Sequence, residues 1–159
     1  MSREDRAEEL FRSGFNCAQS VVGVFCEELG IDTDTAMKLT ECFGGGFSRL
    51  RLVCGAVSGM GIVAGMALSR GAGEGNTRAA VYGKTQELAE RFRANNGSII
   101  CAELLGIDKD KDGGMYASGP EKRTEAYYKK RPCIQCIREC VRLAEEGLKE
   151  QLEDNAPPC

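Results

Sequence analysis

Three cysteines lie within eight residues in the stretch CIQCIREC at 133–140. Cys133 and Cys136 form a CxxC pair, and they share one face with Cys140 if the stretch is helical. A CxxC pair at the start of a helix is typical of redox centres, because the helix N-terminus and cations such as Arg131 favour thiolate. The same stripe could be the buried face of the helix, since reduced cysteine packs as a small hydrophobe. The spacing alone leaves both interpretations open.

The chain contains nine cysteines and no histidine. The absence of histidine excludes Cys–His nucleophilic catalysis, Cys/His zinc sites and CxxCH haem attachment. Thiolates alone can still bind zinc or an iron–sulfur cluster, and paired thiols can form a disulfide couple. The N-terminus is charged and shows no secretory pattern, so we expect a cytoplasmic protein whose thiols are kept reduced.

The length of 159 residues suits one domain, which we expect over 1–154 with a flexible tail at 155–159. A net charge of −3 and 6% aromatic residues give no reason to expect a nucleic-acid partner. The uncharged run at 52–68 is near the lower length limit for a membrane span, but five of its residues are Gly or Ser. We therefore predict a buried core helix there and no membrane span.

Caps and apolar periodicity predict an all-α bundle with a glycine-rich central helix. That helix carries two glycine pairs at four-residue spacing, Gly55 with Gly59 and Gly61 with Gly65. Each glycine disfavours the helix, so we expect a compensating close approach of another helix, a flat cofactor or a second copy in a homodimer. The predicted helices cover 2–12, 17–29, 32–43, 51–69, 77–95, a short segment at Cys101, 120–130 and 132–153.

The loop GGGFSR at 44–49 precedes Cys54 and requires glycine-permissive backbone angles. Its amides and the following helix N-terminus could hold a thiolate or a bound anion, although Cys54 could also be a small residue at a tight packing point. We therefore assign cofactor binding to the loop and the helix start, at Gly44, Gly45, Gly46, Arg49 and Gly55.

Four segments in a fixed order carry a resemblance to a known family. They are FNCAQSVV at 15–22, FGGGFSR at 43–49 leading into CGAVSG at 54–59, CAELLG at 101–106, and a cysteine that opens the last helix. This order resembles the C_GCAxxG_C_C family of small bacterial proteins, which are described as redox-active. The resemblance runs from about residue 7 to residue 147, and CGAxxG after the glycine-rich loop is its most specific part.

The resemblance implies a helical domain with four signature cysteines, which correspond here to Cys17, Cys54, Cys101 and Cys133. We expect these four to converge on one site and to be the ligands if the site holds zinc or an iron–sulfur cluster. A similar domain occurs in split-Soret cytochromes, which carry haem and an iron–sulfur centre; only the iron–sulfur centre could transfer, because haem-attachment motifs are absent here. With Cys136, the same four cysteines are the predicted catalytic residues.

The predicted function is redox chemistry with a redox partner that the sequence does not identify. It would proceed by thiol–disulfide exchange or by electron transfer through an iron–sulfur cluster. The alternative is a zinc- or iron-binding module without turnover. A third hypothesis is an interaction protein in which the cysteines only pack.

Overall fold

The computed structural model describes residues 1–73, 75–108 and 121–155. Within these ranges the chain is helical, with one 3₁₀ turn at Glu41–Phe43 and no strand beyond an isolated bridge between Val53 and Ile100. The predicted all-α fold is confirmed. The helices are α1 (Arg3–Arg12), α2 (Cys17–Gly23), α3 (Cys26–Leu29), α4 (Thr33–Thr40), α5 (Gly55–Leu68), α6 (Arg78–Asn96), α7 (Cys101–Leu105), α8 (Glu125–Lys130), α9 (Cys133–Gly147) and α10 (Lys149–Asn155).

The glycine-rich helix α5 lies at the centre and packs against α2, α6 and α9. A Cβ at Gly59 would lie 3.0 Å from the Val21 Cβ and 3.1 Å from the Ala18 carbonyl oxygen, so this face admits the backbone of α2. A Cβ at Gly61 would lie 3.3 Å from Thr85 Cγ2 on α6. The close approaches expected from the glycines are thus made within the chain. The homodimer predicted from the same glycines stays a prediction.

Two of the predicted long helices are interrupted. The helix predicted over 17–29 breaks after Gly23, and the one predicted over 132–153 breaks after Gly147. Glycine weakens a helix interior, and at both positions a neighbour occupies the space of a side chain. A Cβ at Gly147, for example, would lie 2.6 Å from Leu88 Cδ2. The glycines that end these helices therefore also permit tight packing.

Two helix boundaries in the C-terminal part of the chain differ from the sequence prediction. The helix predicted from residue 120 begins at Glu125, where the Thr124 side chain accepts a hydrogen bond from the Tyr127 N–H. Asn155, predicted to open a flexible tail, is the last residue of α10, and 156–159 lie outside the described residues. None of the helices described has both the length and the apolar character needed to cross a membrane.

Candidate functional site

The four signature cysteines stand at the starts of four helices. Cys17, Cys101 and Cys133 are the first residues of α2, α7 and α9, and Cys54 is the N-cap of α5. Together with Cys136 they line one cavity of about 590 Å³. The structure therefore brings together cysteines that are far apart in the sequence, as the resemblance led us to expect.

The five residues predicted to bind a cofactor line the same cavity as the five cysteines. All ten predicted site residues therefore lie together, and their roles stay predictions. Cys140 does not line it and is completely buried in the core. The stretch CIQCIREC thus divides: Cys133 and Cys136 face the cavity, and Cys140 packs. The cofactor-binding set consists of Gly44, Gly45, Gly46, Arg49 and Gly55.

Two short extended segments hold Cys54 beside Cys101. The Cys54 N–H donates to the Ile99 carbonyl oxygen at 2.8 Å, and the Cys101 N–H donates to the Leu52 carbonyl oxygen at 2.6 Å. Because residues 51–54 are committed to this pairing, the central helix begins at Gly55 and not near residue 51 as predicted. The pairing directs the starts of α5 and α7 toward the same cavity.

The glycine-rich loop is left-handed well beyond its glycines. Its backbone folds back on itself, with the Arg51 N–H donating to the Gly45 carbonyl oxygen at 3.2 Å and the Leu52 N–H to that of Gly46 at 2.9 Å. The loop predicted at 44–49 has glycine-permissive angles at 45–49; they recur at Arg51, whereas Gly44 is extended. Left-handed geometry costs a non-glycine residue roughly 1–2 kcal/mol. Positive φ occurs at Gly45, Gly46, Phe47, Ser48, Arg49 and Arg51.

Two features require glycine at position 46: its φ of 67° and the lack of space for a side chain. A Cβ on this residue would lie 2.5 Å from the Cys101 Cβ and 2.9 Å from the Leu52 backbone nitrogen. Real Cβ atoms do not approach other carbons so closely. The loop can therefore pack against Cys101 only because residue 46 has no side chain.

Cys17 and Cys133 form the first thiol pair at the cavity. A hydrogen bond from the Cys17 thiol lowers the pKa of Cys133 to about 7, and the positive charges of Arg131, Arg123 and Arg51 act in the same direction. The same hydrogen bond, followed by burial, raises the pKa of Cys17 well above its usual value. Near neutral pH the pair thus combines a partly ionised thiol at Cys133 with a protonated thiol at Cys17.

Cys54 and Cys136 form the second pair. The hydrogen bond with Cys136 lowers the pKa of Cys54, as do hydrogen bonds from the backbone N–H groups of Val57 and Ala56 in the first turn of α5. The same pairing, with burial, raises the pKa of Cys136. The two CxxC cysteines therefore each have a partner on another helix.

One cation on the cavity wall, Arg123, comes from a part of the chain that shows no local motif, and a second, Arg131, lies just before the CxxC pair. Arg123 donates to the carbonyl oxygens of Phe11 and Phe15, each at 3.3 Å, and its guanidinium carbon lies 4.3 Å from the Phe11 ring centre. Arg131 lies 4.5 Å over the Tyr127 ring. Sequence reasoning missed Arg123 and Tyr127, because only the tertiary fold brings them to the thiols.

The predicted metal site depends on how its four sulfur donors are arranged. Cys17, Cys54, Cys101 and Cys133 all line the cavity. Across the described part of the chain, however, no group of three or more Cys, Asp or Glu side chains is arranged to hold a metal ion. The thiols as placed form pairs and do not fit a zinc or iron–sulfur site, so the four-cysteine ligand set stays a prediction.

The fold and the cavity define an all-α cysteine-motif protein, with five thiols around a glycine-lined cavity. The model of one protein family, described as "Putative redox-active protein (C_GCAxxG_C_C)", matches residues 15–147. The chain belongs to this family. Comparison with curated proteins and with solved structures found no match.

Proposed function

We propose that this protein carries out thiol–disulfide exchange, with Cys133 as the attacking thiolate and Cys17 as the resolving thiol. The observation that carries the proposal is that Cys17 and Cys133, far apart in the sequence, line one cavity large enough for a small molecule, where their interaction lowers the pKa of Cys133. Both side chains are partly exposed, whereas Cys140 is fully enclosed. We place the reaction in the cytoplasm, where thiols are kept reduced.

The ionisation of the pair matches the two steps of exchange. The Cys133 thiolate attacks one sulfur of a disulfide, so that a Cys133–substrate disulfide forms, the substrate S–S bond breaks, and the departing thiolate takes a proton. Cys17 then loses its proton and attacks the Cys133 sulfur. This forms the Cys17–Cys133 disulfide and releases the second substrate thiol. Two electrons pass from the protein dithiol to the substrate.

Turnover requires a thiol or dithiol reductant, which is the class of redox partner we assign. Its thiolate would attack the Cys17–Cys133 disulfide and return the two electrons. Cys54 and Cys136 supply a second hydrogen-bonded pair at the same cavity. We propose it as a second couple, with Cys136 one helical turn from Cys133.

The proposal is tested by mixing reduced protein with hydroxyethyl disulfide, a neutral substrate. The wild type should release 2-mercaptoethanol and contain a Cys17–Cys133 disulfide. Cys17→Ser should stop at a mixed disulfide on Cys133, visible as a mass adduct on its peptide. Cys133→Ser should react much more slowly, because the remaining cavity thiols include no equally exposed thiolate.

Cys42→Ser is the matched control, since Cys42 is exposed and does not line the cavity. It should behave as the wild type. A trapped adduct on a cysteine other than Cys133 in the Cys17→Ser variant would overturn the assignment. Stoichiometric iron or zinc in anaerobically purified protein, with no disulfide formed, would favour the metal-binding alternative instead.

A further inference from the structure

Arg51 is a buried cation whose guanidinium has little to bind. The residue is 8% exposed, lines the thiol cavity, and donates from Nη1 to Cys101 Sγ at 3.7 Å. A guanidinium carries five N–H donors, and a thiol sulfur is a weak acceptor. Among the described residues, no fully enclosed side-chain nitrogen or oxygen lacks a partner, so the other Arg51 nitrogens have some accessible surface, and the cavity is the space that this residue lines.

The charge of Arg51 is also not neutralised by its neighbour. The contact with Cys101 Sγ, at 3.7 Å, is a weak hydrogen bond to a thiol and brings no carboxylate or phosphate charge to the guanidinium. A guanidinium does not lose its proton in proteins, and a buried charge is unfavourable unless it is paired. Arg51 also acts at a distance on Cys133, but among the described residues no negatively charged side chain forms a hydrogen bond with its guanidinium.

The neighbouring arginines differ from Arg51 in this respect. Arg131 forms a salt bridge with Glu121, and Arg123 binds two backbone carbonyl oxygens and stacks on aromatic rings. No carboxylate forms a salt bridge with Arg51 within the ranges that the structure covers; Glu41, which also lines the cavity, is exposed. The unmet donors of Arg51 therefore face the space beside Cys101 and the thiol pairs.

We propose that Arg51 binds an oxyanion, a carboxylate or phosphate group, of the small molecule that reacts at the thiols. The substrate class is then an anionic thiol or disulfide, and that identification rests on the proposed function. The anion subsite itself does not depend on the proposed function. A planar fork of N–H donors binds both kinds of oxyanion with two parallel hydrogen bonds, and the cavity of about 590 Å³ has the volume of small-molecule sites.

The test compares two alkylating reagents that differ in charge. Iodoacetate and iodoacetamide both transfer a carbon to a thiolate and release iodide, but only iodoacetate carries a carboxylate. The rate constant for iodoacetate divided by that for iodoacetamide is measured at Cys133 by peptide mass spectrometry. This ratio should fall about fivefold or more in Arg51→Gln, because a cation near the reagent carboxylate is lost. Loss of the same cation also changes the Cys133 pKa, which affects both reagents equally and cancels in the ratio.

Arg6→Gln is the matched control, because it removes the same charge from an exposed position of α1 that does not line the cavity. The rate ratio should not change in this variant, and Arg51→Lys should give an intermediate ratio. An unchanged ratio in a folded Arg51→Gln protein would overturn the subsite. Failure of the disulfide reaction with an Arg51-dependent ratio would remove only the proposed function.

A second measurement needs no variant. Inorganic phosphate and succinate, added separately to wild-type protein, should slow alkylation of Cys133 by iodoacetamide in a saturable manner. Chloride at the same ionic strength should not. Protection by one of the two distinguishes a phosphate from a carboxylate ligand. If neither protects and the slowing follows ionic strength alone, the proposal is wrong.

Discussion

At the scale of single residues, the surroundings of each sulfur decide its chemistry. In each thiol pair one pKa is lowered and the other raised, because a thiolate accepts the hydrogen bond that its protonated partner donates. A dithiol couple needs this asymmetry, with one nucleophile and one thiol held in reserve. Cys101 belongs to neither pair, and its hydrogen bond from Arg51 connects it to the proposed oxyanion subsite.

The lowered pKa of Cys133 predicts a pH profile for its alkylation by iodoacetamide. Because thiolate is the reacting form, the rate should be on its plateau above the pKa and fall as pH drops through about 7. The measurement is the rate of modification of the Cys133 peptide between pH 5 and pH 10. The charged and titratable groups that act on Cys133 come from several elements and include Cys17, Arg131, Arg123 and Arg51.

Cys101 provides the internal control for this profile. Burial raises its pKa above the usual 9.0, so its modification should begin only at a higher pH than that of Cys133. A midpoint for Cys133 at 9 or above would contradict the account of the first thiol pair.

At the scale of elements, the ends of the helices position and ionise the sulfurs. Cys54 is the N-cap of α5 and Cys133 is the first residue of α9, and the N-terminal amides of both helices favour negative charge there. The bridge between Val53 and Ile100 fixes the start of α5, and the left-handed loop closes the cavity beside it. Small residues at contacts between these elements are therefore as important as the cysteines.

Gly46→Ala should destabilise the protein by roughly 2–4 kcal/mol, since it adds both left-handed strain and a clash with Cys101. Chemical denaturation measures this change. Gly30→Ala is the matched control, because Gly30 has a similar φ of 64° but nothing within 4 Å of its added Cβ. It should cost only about 1 kcal/mol. Equal losses in the two variants would show that the loop does not pack on Cys101.

Gly59→Ala should destabilise the protein by roughly 1–3 kcal/mol, because the new methyl group meets the backbone of Ala18 and the Cβ of Val21. Gly83→Ala, in α6, adds a Cβ that meets nothing within 4 Å and should stabilise the protein by up to about 1 kcal/mol through helix propensity. Thermal or chemical unfolding of both variants checks the pair. Stabilisation by both changes would contradict the close packing of α5 on α2.

At the scale of the whole molecule, sequence signals predicted the helix starts and ends that depend on interactions between neighbouring residues. Asn16 caps α2 with a capping box, Gly30, Gly97 and Gly106 end helices in the left-handed conformation, and the cysteine-bearing segments each open a helix. The order of these segments also predicted their convergence, but only through resemblance to a family.

The sequence could not predict contacts that depend on the tertiary fold. Arg123 reaches the carbonyl oxygens of Phe11 and Phe15 from more than a hundred residues away. Cys133 pairs with Cys17 and not with Cys136 because of the way α2 and α9 meet. The CxxC spacing alone would favour a pair between Cys133 and Cys136. The left-handed angles at Phe47 and Arg51 follow from backbone hydrogen bonds that no propensity encodes.

The central claim is that Cys17 and Cys133 share one redox couple. The most direct test equilibrates wild-type protein in buffers of graded reduced and oxidised dithiothreitol, traps the thiols, and maps disulfides by non-reducing peptide mass spectrometry. The account predicts that the Cys17–Cys133 linkage forms first and reverses on reduction, followed by Cys54–Cys136. A first linkage between Cys133 and Cys136, or thiols that stay reduced throughout the series, would contradict it.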